Sequence, residues 1–271
     1  MGGAAAGFTE GAGAMFYNPA GLARMEPESR PELSMAYSNL LETTYAGSAA
    51  FARPLRVGQT DQVVGAGLIY FSQSPQTSFN GQGDAIGAFT PYDAALNLSY
   101  ARRIHSLLLG GNVKLIRSAV ADTAGMGAAL DFGAQYPHVT EIGDGALDLG
   151  GSLSNFGTPI RVGAGSSPLP MSFRLGSLWH TATFLNTALD VVVPVDQSPY
   201  VSFGVEAVEK QPGWAGALRF GYNQSNSRGV DGFAGLTAGA GLDIARFRID
   251  YAWVPFGDLG TTNRVAMTFR F

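Results

Sequence analysis

The chain has no cysteine among its 271 residues, and few of its residues are charged. The lack of cysteine excludes disulfide bonds and thiolate metal sites, although it points to no particular compartment. Charged residues make up 14% of the chain, whereas a soluble domain has about 25%. With a net charge of −4 and no basic stripe, the sequence gives no reason to expect nucleic acid as a partner.

Long apolar runs are also missing. No window approaches the ~20 consecutive apolar residues of a transmembrane helix, yet 46% of the residues are hydrophobic and 37 are glycine. A transmembrane β-barrel reconciles these observations, because only every second residue of its strands faces lipid.

An exported barrel is made with a signal peptide. Met1-Gly2-Gly3 runs into Ala/Gly sequence with neither a basic start nor an apolar core. We therefore expect that the start of the chain is trimmed or misassigned, or else that the membrane interpretation is wrong.

The C-terminal residues 246–271 show the pattern of a barrel wall most clearly. Large apolar residues fall on one face of two extended segments, and polar or small residues fall on the other. The apolar face consists of Phe247, Ile249, Tyr251, Trp253, Val265, Met267, Phe269 and Phe271. Aromatic residues at both ends of this face, continuing to the last residue, are typical of a strand pair that faces lipid.

Similar alternation recurs from residue 31 onward, without a change of composition that would mark a second domain. It predicts an all-β fold, a single transmembrane antiparallel β-barrel of about 14 strands over residues 31–271. Residues 73–91 and 155–170 are predicted to be its longest loops. A soluble β-sandwich is the alternative, but it does not explain the low charge or the aromatic residues at so many strand ends.

Residues 1–30 do not alternate and are therefore not predicted to be wall. Asn18 and Pro19 suit the cap and first turn of a short helix, which Pro27 would end. The segment is predicted to be a structured arm or a plug inside the barrel.

The inward face of the predicted wall carries charges of both signs among Gly, Ala and Ser. Charges of opposite sign in one interior favour paired networks, because a lone buried charge is costly. The small residues leave room for water, a ligand or the N-terminal segment. Two interpretations stay open: structural packing of a plugged lumen, or the polar lining of a substrate path. The candidate lining residues are Lys114, Asp131, Arg174, Asp190, Glu206, Arg219, Asp243, Arg246, Arg248 and Asp250.

The segment AMFYNPAGLARM resembles the Asn-Pro-Ala-Gly-Leu signature near the start of FadL-type and PorV/PorQ-type outer-membrane proteins. Its matching residues are Asn18, Pro19, Ala20, Gly21 and Leu22. The segments YDAALNLSYARRI, LGGSLSNFGTPIRV and IDYAWVPFGDLGTTNRVAMTFRF are similar to the PorV/PorQ branch. The resemblance implies a fourteen-stranded barrel in the bacterial outer membrane, with lipid around it and the N-terminal segment in its lumen.

Three functions follow from this resemblance. A PorV/PorQ-like barrel would serve protein export of the type IX kind, with secreted cargo proteins or secretion-system subunits as partners at the rim loops. A FadL-like barrel would transport small hydrophobic compounds. A third barrel would be structural, with a sealed lumen. An open aqueous porin is disfavoured, because the Gly/Ala lining and the N-terminal segment predict a filled lumen.

No enzyme is predicted. His105, His138 and His180 share no motif, and the chain has neither a Gly-x-Ser-x-Gly elbow nor a phosphate-binding loop. We therefore expect no catalytic residue, no metal site and no cofactor.

Overall fold

A computed structural model of the chain describes residues 1–143, 145–163, 165–230 and 232–271. Four 3₁₀ helices in these residues span Ala12–Phe16, Pro19–Arg24, Gln224–Ser227 and Gly257–Leu259. The strands are β1 (Glu32–Asn39), β2 (Thr44–Val57), β3 (Thr60–Gln73), β4 (Gln76–Phe79), β5 (Ala85–Phe89), β6 (Tyr92–Ile104), β7 (Leu107–Val120), β8 (Thr123–Ile142), β9 (Gly145–Gly157), β10 (Ile160–Val162), β11 (Gly165–Ser167), β12 (Ser172–Ala182), β13 (Leu185–Pro194), β14 (Tyr200–Gln211), β15 (Trp214–Asn223), β16 (Leu236–Ile244), β17 (Phe247–Pro255) and β18 (Thr261–Arg270).

Fourteen of these strands form a closed antiparallel barrel, which confirms the predicted fold. The order around the barrel follows the chain, and β1 closes the sheet by pairing with β18, with Met35 opposite Met267 and Tyr37 opposite Val265. Closure leaves no edge strand, so every wall strand has a hydrogen-bonding neighbour on both sides. No helix of the described residues is long and apolar enough to cross a membrane.

The outward face of the wall is a broad apolar belt. Many large side chains on it are exposed, including Leu98 at 57%, Val113 at 52% and Phe220 at 65%. Monomeric soluble proteins rarely expose contiguous apolar patches beyond a few hundred Å². The belt therefore indicates that the barrel is surrounded by an apolar medium.

The two ends of the barrel differ in their connections. At one end, called the turn end, two-residue turns lie at 58–59, 105–106, 183–184, 212–213 and 245–246, and β1 begins there. The other end, called the loop end, carries the longer connections. The predicted loops 73–91 and 155–170 lie at the loop end, but each contains a small hairpin, β4–β5 and β10–β11 respectively.

The segment from Met1 to Met25 lies inside the barrel. It runs along the inward face of β7, β8, β9, β12, β14 and β15. Each of these strands has a glycine there, and the space that a larger side chain would take is filled by the segment or, at Gly176, by the carboxylate of Asp190. A methyl group at these wall positions would meet those atoms, so the glycines supply the space that the segment occupies: Gly110, Gly133, Gly150, Gly176, Gly204 and Gly221.

Candidate functional site: a lumen divided by the N-terminal segment

The Asn18–Leu22 motif holds the N-terminal segment against the wall. The side-chain oxygen of Asn18 accepts a hydrogen bond from the backbone N–H of Ala20 at 3.1 Å and so caps the 3₁₀ helix Pro19–Arg24. The amide nitrogen of Asn18 lies 2.8 Å from the carbonyl oxygen of Ala6 and 3.2 Å from those of Ala134 and Gly151. Asn18 is fully buried, and it ties the segment to itself, to β8 and to β9.

The rest of the motif is apolar packing. Ala20 and Leu22 have no exposed surface. They belong to a hydrophobic cluster on the inward face that also includes Ala50, Ala52, Val63, Ala101 and Leu108. The strands β2, β3, β6 and β7 therefore carry apolar residues on both faces. The outward residues belong to the belt, and the inward residues are buried under the segment.

Arg24 fastens the end of the same 3₁₀ helix. Its guanidinium donates to the side-chain oxygen of Gln135 at 2.6 Å, to the carbonyl of Gly7 at 2.8 Å and to the buried carboxylate of Asp148 at 3.0 Å. Asp148 also accepts from the backbone N–H of His138 at 2.9 Å. Removing one partner of such a buried pair leaves an unpaired charge, which lowers the stability of the folded protein by about 3–5 kcal/mol.

Two of the predicted lining residues, Arg174 and Asp190, anchor the start of the segment. One oxygen of Asp190 accepts the backbone N–H groups of Ala5 at 2.8 Å and Ala6 at 3.0 Å, and it pairs with Arg174 at 3.1 Å. Asp190 is fully buried. This ion pair therefore organises the segment rather than facing open space.

Lys114 and Asp131 form a third buried pair, at 2.8 Å between the ammonium nitrogen and a carboxylate oxygen. Asn112 bridges this pair to the segment, donating to Asp131 at 2.8 Å and to the carbonyl of Met15 at 2.7 Å.

Five more of the predicted lining residues form a ladder of ion pairs on the inward face of β14–β18: Glu206, Arg219, Asp243, Arg248 and Asp250. Arg219 joins Glu206 and Asp250, both at 2.7 Å. Arg248 pairs with Asp250 at 2.8 Å. Nearer the turn end, Arg270 joins Asp243 at 2.8 Å and Glu32 at 3.0 Å. The opposite charges of this ladder are paired, and the side chains stay partly exposed to the lumen.

Arg246 does not line the lumen, which corrects one predicted residue. It lies with Ala245 in the two-residue turn between β16 and β17, and its side chain is exposed at the turn end. Ala245 has a φ of 55°, a value typical of a tight turn. Arg246 extends the inward alternation of Arg248 and Asp250 by one step, so the pattern alone could not show that β17 begins at Phe247.

The space that the segment leaves open forms two chambers. The loop-end chamber has a volume of about 610 Å³ and is lined largely by apolar and small residues, among them Phe16, Ile69, Ala252 and Val254. Three charged side chains reach it: Arg219, Asp250 and Arg264. The lining is therefore suited to an apolar molecule.

The turn-end chamber has a similar volume of about 600 Å³ but a different lining. Ten charged residues border it, including Glu10, Arg30 and most of the ion-pair ladder. The number of charged residues that border the lumen therefore rises along the barrel axis, from three near the loops to ten near the turns.

His138 and His180, which share no sequence motif, meet at the turn end. Their rings stack with centroids 6.2 Å apart, and the Nε2 atom of His180 lies 3.6 Å from the carboxylate of Asp148. In the described residues, no group of three or more His, Asp or Glu side chains is arranged to hold a metal ion.

Several residues at the site were not singled out from the sequence. They form contacts between elements more than 100 residues apart in the chain: Arg24 with Gln135 and Asp148, and Arg270 with Glu32. Tyr17 lies between the two chambers and borders both. Glu32, Gln135 and Arg270 had a recognisable signal, because they continue the inward-facing alternation of β1, β8 and β18.

No protein-family model matches the chain, and no curated protein matches it. Solved structures do. The toluene transporter TbuX of Ralstonia pickettii aligns over 100% of this chain and 96% of its own, with a TM-score of 0.66 and 16% identity. The toluene transporter TodX of P. putida aligns over 100% of this chain and 97% of its own, with a TM-score of 0.62 and 12% identity. A Pseudomonas aeruginosa FadL homologue aligns over 99% of this chain and 96% of its own, with a TM-score of 0.56 and 10% identity. The fold is therefore that of the FadL-like barrels.

Proposed function

We propose that the chain is an outer-membrane barrel that passes small hydrophobic compounds through its lumen. The observation that carries this proposal is the apolar chamber at the loop end, inside a barrel whose outward belt is also apolar. The toluene transporters that share the fold support the same class of compound, small monoaromatic hydrocarbons. These findings favour transport over the export role that the PorV/PorQ resemblance implies.

The size and lining of the loop-end chamber suit such a compound. Ligand pockets commonly have volumes of about 300–1,000 Å³, with mostly apolar walls and few polar groups. The chamber's 610 Å³ falls in this range. Arg219 and Asp250 form an ion pair with each other. An apolar molecule bound beside them therefore does not desolvate an unpaired charge.

The proposal is tested by uptake of radiolabelled toluene into bacteria that lack their own hydrophobic-compound channels. Cells carrying the protein are expected to take up toluene faster than cells with an empty vector. Ala252→Trp fills the chamber from the inward face of β17, and we expect it to reduce uptake to the vector level. Leu68→Trp is the matched control, since Leu68 lies on the outward face and is 48% exposed.

If the wild-type protein reaches the outer membrane and gives no uptake above the vector, the transport proposal is wrong and the sealed structural barrel is favoured. If Leu68→Trp lowers uptake as much as Ala252→Trp, the loss reflects folding or insertion rather than the chamber.

Docking of secreted proteins is the second candidate function. The β4–β5 hairpin at the loop end presents Phe79 and Ile86 with 61% and 64% of their surfaces exposed, and such side chains could contact a passing chain. A protein that exports cargo by docking would lose that cargo when Phe79→Ser and Ile86→Ser are combined. Toluene uptake would be unchanged in the same variant, which separates this function from transport.

A further inference from the structure

The two chambers of the lumen meet at one level of the barrel. Both are bordered by the same seven residues: Phe16, Tyr17, Ala36, Ser48, Arg219, Asp250 and Ala266. Two of these are aromatic residues of the N-terminal segment, and the other five belong to the wall of β1, β2, β15, β17 and β18. A molecule that crosses from one chamber to the other along this wall passes between the aromatic pair and the wall.

The wall side of this level is fixed. Ala36, Ser48 and Ala266 are too small to close the gap by changing rotamer. Arg219 and Asp250 are held by their ion pair at 2.7 Å, and Glu206 holds Arg219 from the other side. The width of the gap is therefore set from the opposite side, by the aromatic pair.

Phe16 and Tyr17 differ in their freedom to move. The ring of Phe16 packs over Gly67 of β3, where an added methyl group would meet the ring at 2.9 Å, and it contacts the hydrophobic cluster around Met15. Tyr17 has 50% of its surface exposed in the lumen. No hydrogen bond in the described part of the chain involves its phenol group.

The backbone of Tyr17 is nevertheless held in place. Its N–H donates to the carbonyl of Ala14 at 3.0 Å, and its carbonyl accepts from the hydroxyl of Ser152 at 3.2 Å. The next residue is the buried Asn18. Tyr17 is thus a free side chain on a fixed backbone, and exposed side chains change rotamer within picoseconds to nanoseconds.

We propose that the Tyr17 ring is the gate between the two chambers and sets the size of the molecules that pass. This inference rests on the proposed transport function and specifies its route, along the wall of Ala36, Ser48 and Ala266. The N-terminal segment does not have to leave the lumen for a small molecule to pass. A rotamer change at one residue opens the gap.

The test compares Tyr17→Ala and Tyr17→Trp in planar bilayers and in the toluene uptake assay. Ion conductance reports whether the lumen is continuous, whatever compound the protein carries. Tyr17→Ala is expected to raise conductance by about tenfold, the factor given by removing ~1.4 kcal/mol of barrier. Tyr17→Trp is expected to lower both conductance and uptake. Tyr37→Ala is the matched control, since Tyr37 is 54% exposed on the outward face.

The outcomes separate the gate from the transport function. If conductance follows the size of residue 17 but no variant takes up toluene, the gate stands and the proposed transport of hydrophobic compounds fails. If Ala252→Trp blocks uptake while neither Tyr17 variant changes uptake or conductance, transport stands and the gate is wrong. If Tyr37→Ala raises conductance as Tyr17→Ala does, the change reflects a loosened barrel and the gate is again wrong.

Discussion

Asn18 gives a residue-scale test of how the segment is held. Its amide nitrogen has two hydrogens and lies within hydrogen-bonding distance of three carbonyl oxygens, on Ala6, Ala134 and Gly151. Replacing it with alanine removes these hydrogen bonds and leaves the buried N–H of Ala20 without its acceptor, which costs about 1–3 kcal/mol. The side chain therefore contributes to the stability of the segment more than to the stability of the barrel.

We predict that Asn18→Ala speeds amide hydrogen exchange over residues 5–23 by about 5- to 150-fold, the factor that corresponds to this free energy. Exchange in the wall strands should change little, because their ladder does not depend on Asn18. Asn18→Asp is expected to have a larger effect, since it places a negative charge against three carbonyl oxygens. Asn80→Ala, in the exposed β4–β5 hairpin, is the matched control. Unchanged protection of residues 5–23 in Asn18→Ala would contradict this role.

The sequence was informative about Asn18 only in part. The Asn-Pro pair indicated a cap and the start of a helix, and both are local features that depend on neighbouring residues. Its contacts with Ala134 and Gly151 join residues 116 and 133 positions apart. Such contacts depend on how the barrel closes, so no local pattern could reveal them. The same reason explains why the contact between Arg24 and Gln135 was missed.

At the scale of single strands, alternation predicted the wall well. Strands such as β6 and β18 place apolar and polar residues on opposite faces, and this two-residue period is visible in the sequence. The hairpins β4–β5 and β10–β11 escaped prediction because their strands are only three to five residues long. Their Gly and Ser content is typical of loops.

Leu130 tests the apolar belt at this scale. It lies on the outward face of β8 and is 39% exposed. In a bilayer, Leu130→Arg should cost about 2–4 kcal/mol and reduce the folded, inserted fraction. The reduction can be measured as the fraction that resists SDS without heating, after refolding into lipid vesicles.

Ala46→Arg is the control for Leu130→Arg, because Ala46 borders the loop-end chamber and its substitution adds the same charge on the inward side. We expect it to fold nearly as well as the wild-type protein. If Leu130→Arg folds equally well, or if the protein folds in buffer without detergent or lipid, the membrane placement of the belt is wrong.

For the whole molecule, the lumen has two different walls. The segment covers the β7–β9 and β12–β15 side through Asn18, Arg24 and the Asp190 carboxylate. The inward faces of β17 and β18, with Ala36 of β1 and Ser48 of β2, stay open and border both chambers. The sequence predicted that small inward residues leave room for something inside. It could not say that the room is divided between the segment and an open path, since that division depends on which wall the segment contacts.

The most direct measurement is a crystal structure of the protein soaked with bromobenzene, with the bromine located by anomalous scattering. We predict a bromine peak in the loop-end chamber, beside Ile69, Ala252 and Val254, and no peak there in Ala252→Trp crystals. Bromine peaks only against the outward belt, with the chamber empty in wild-type crystals, would contradict the proposal that this chamber binds small hydrophobic compounds.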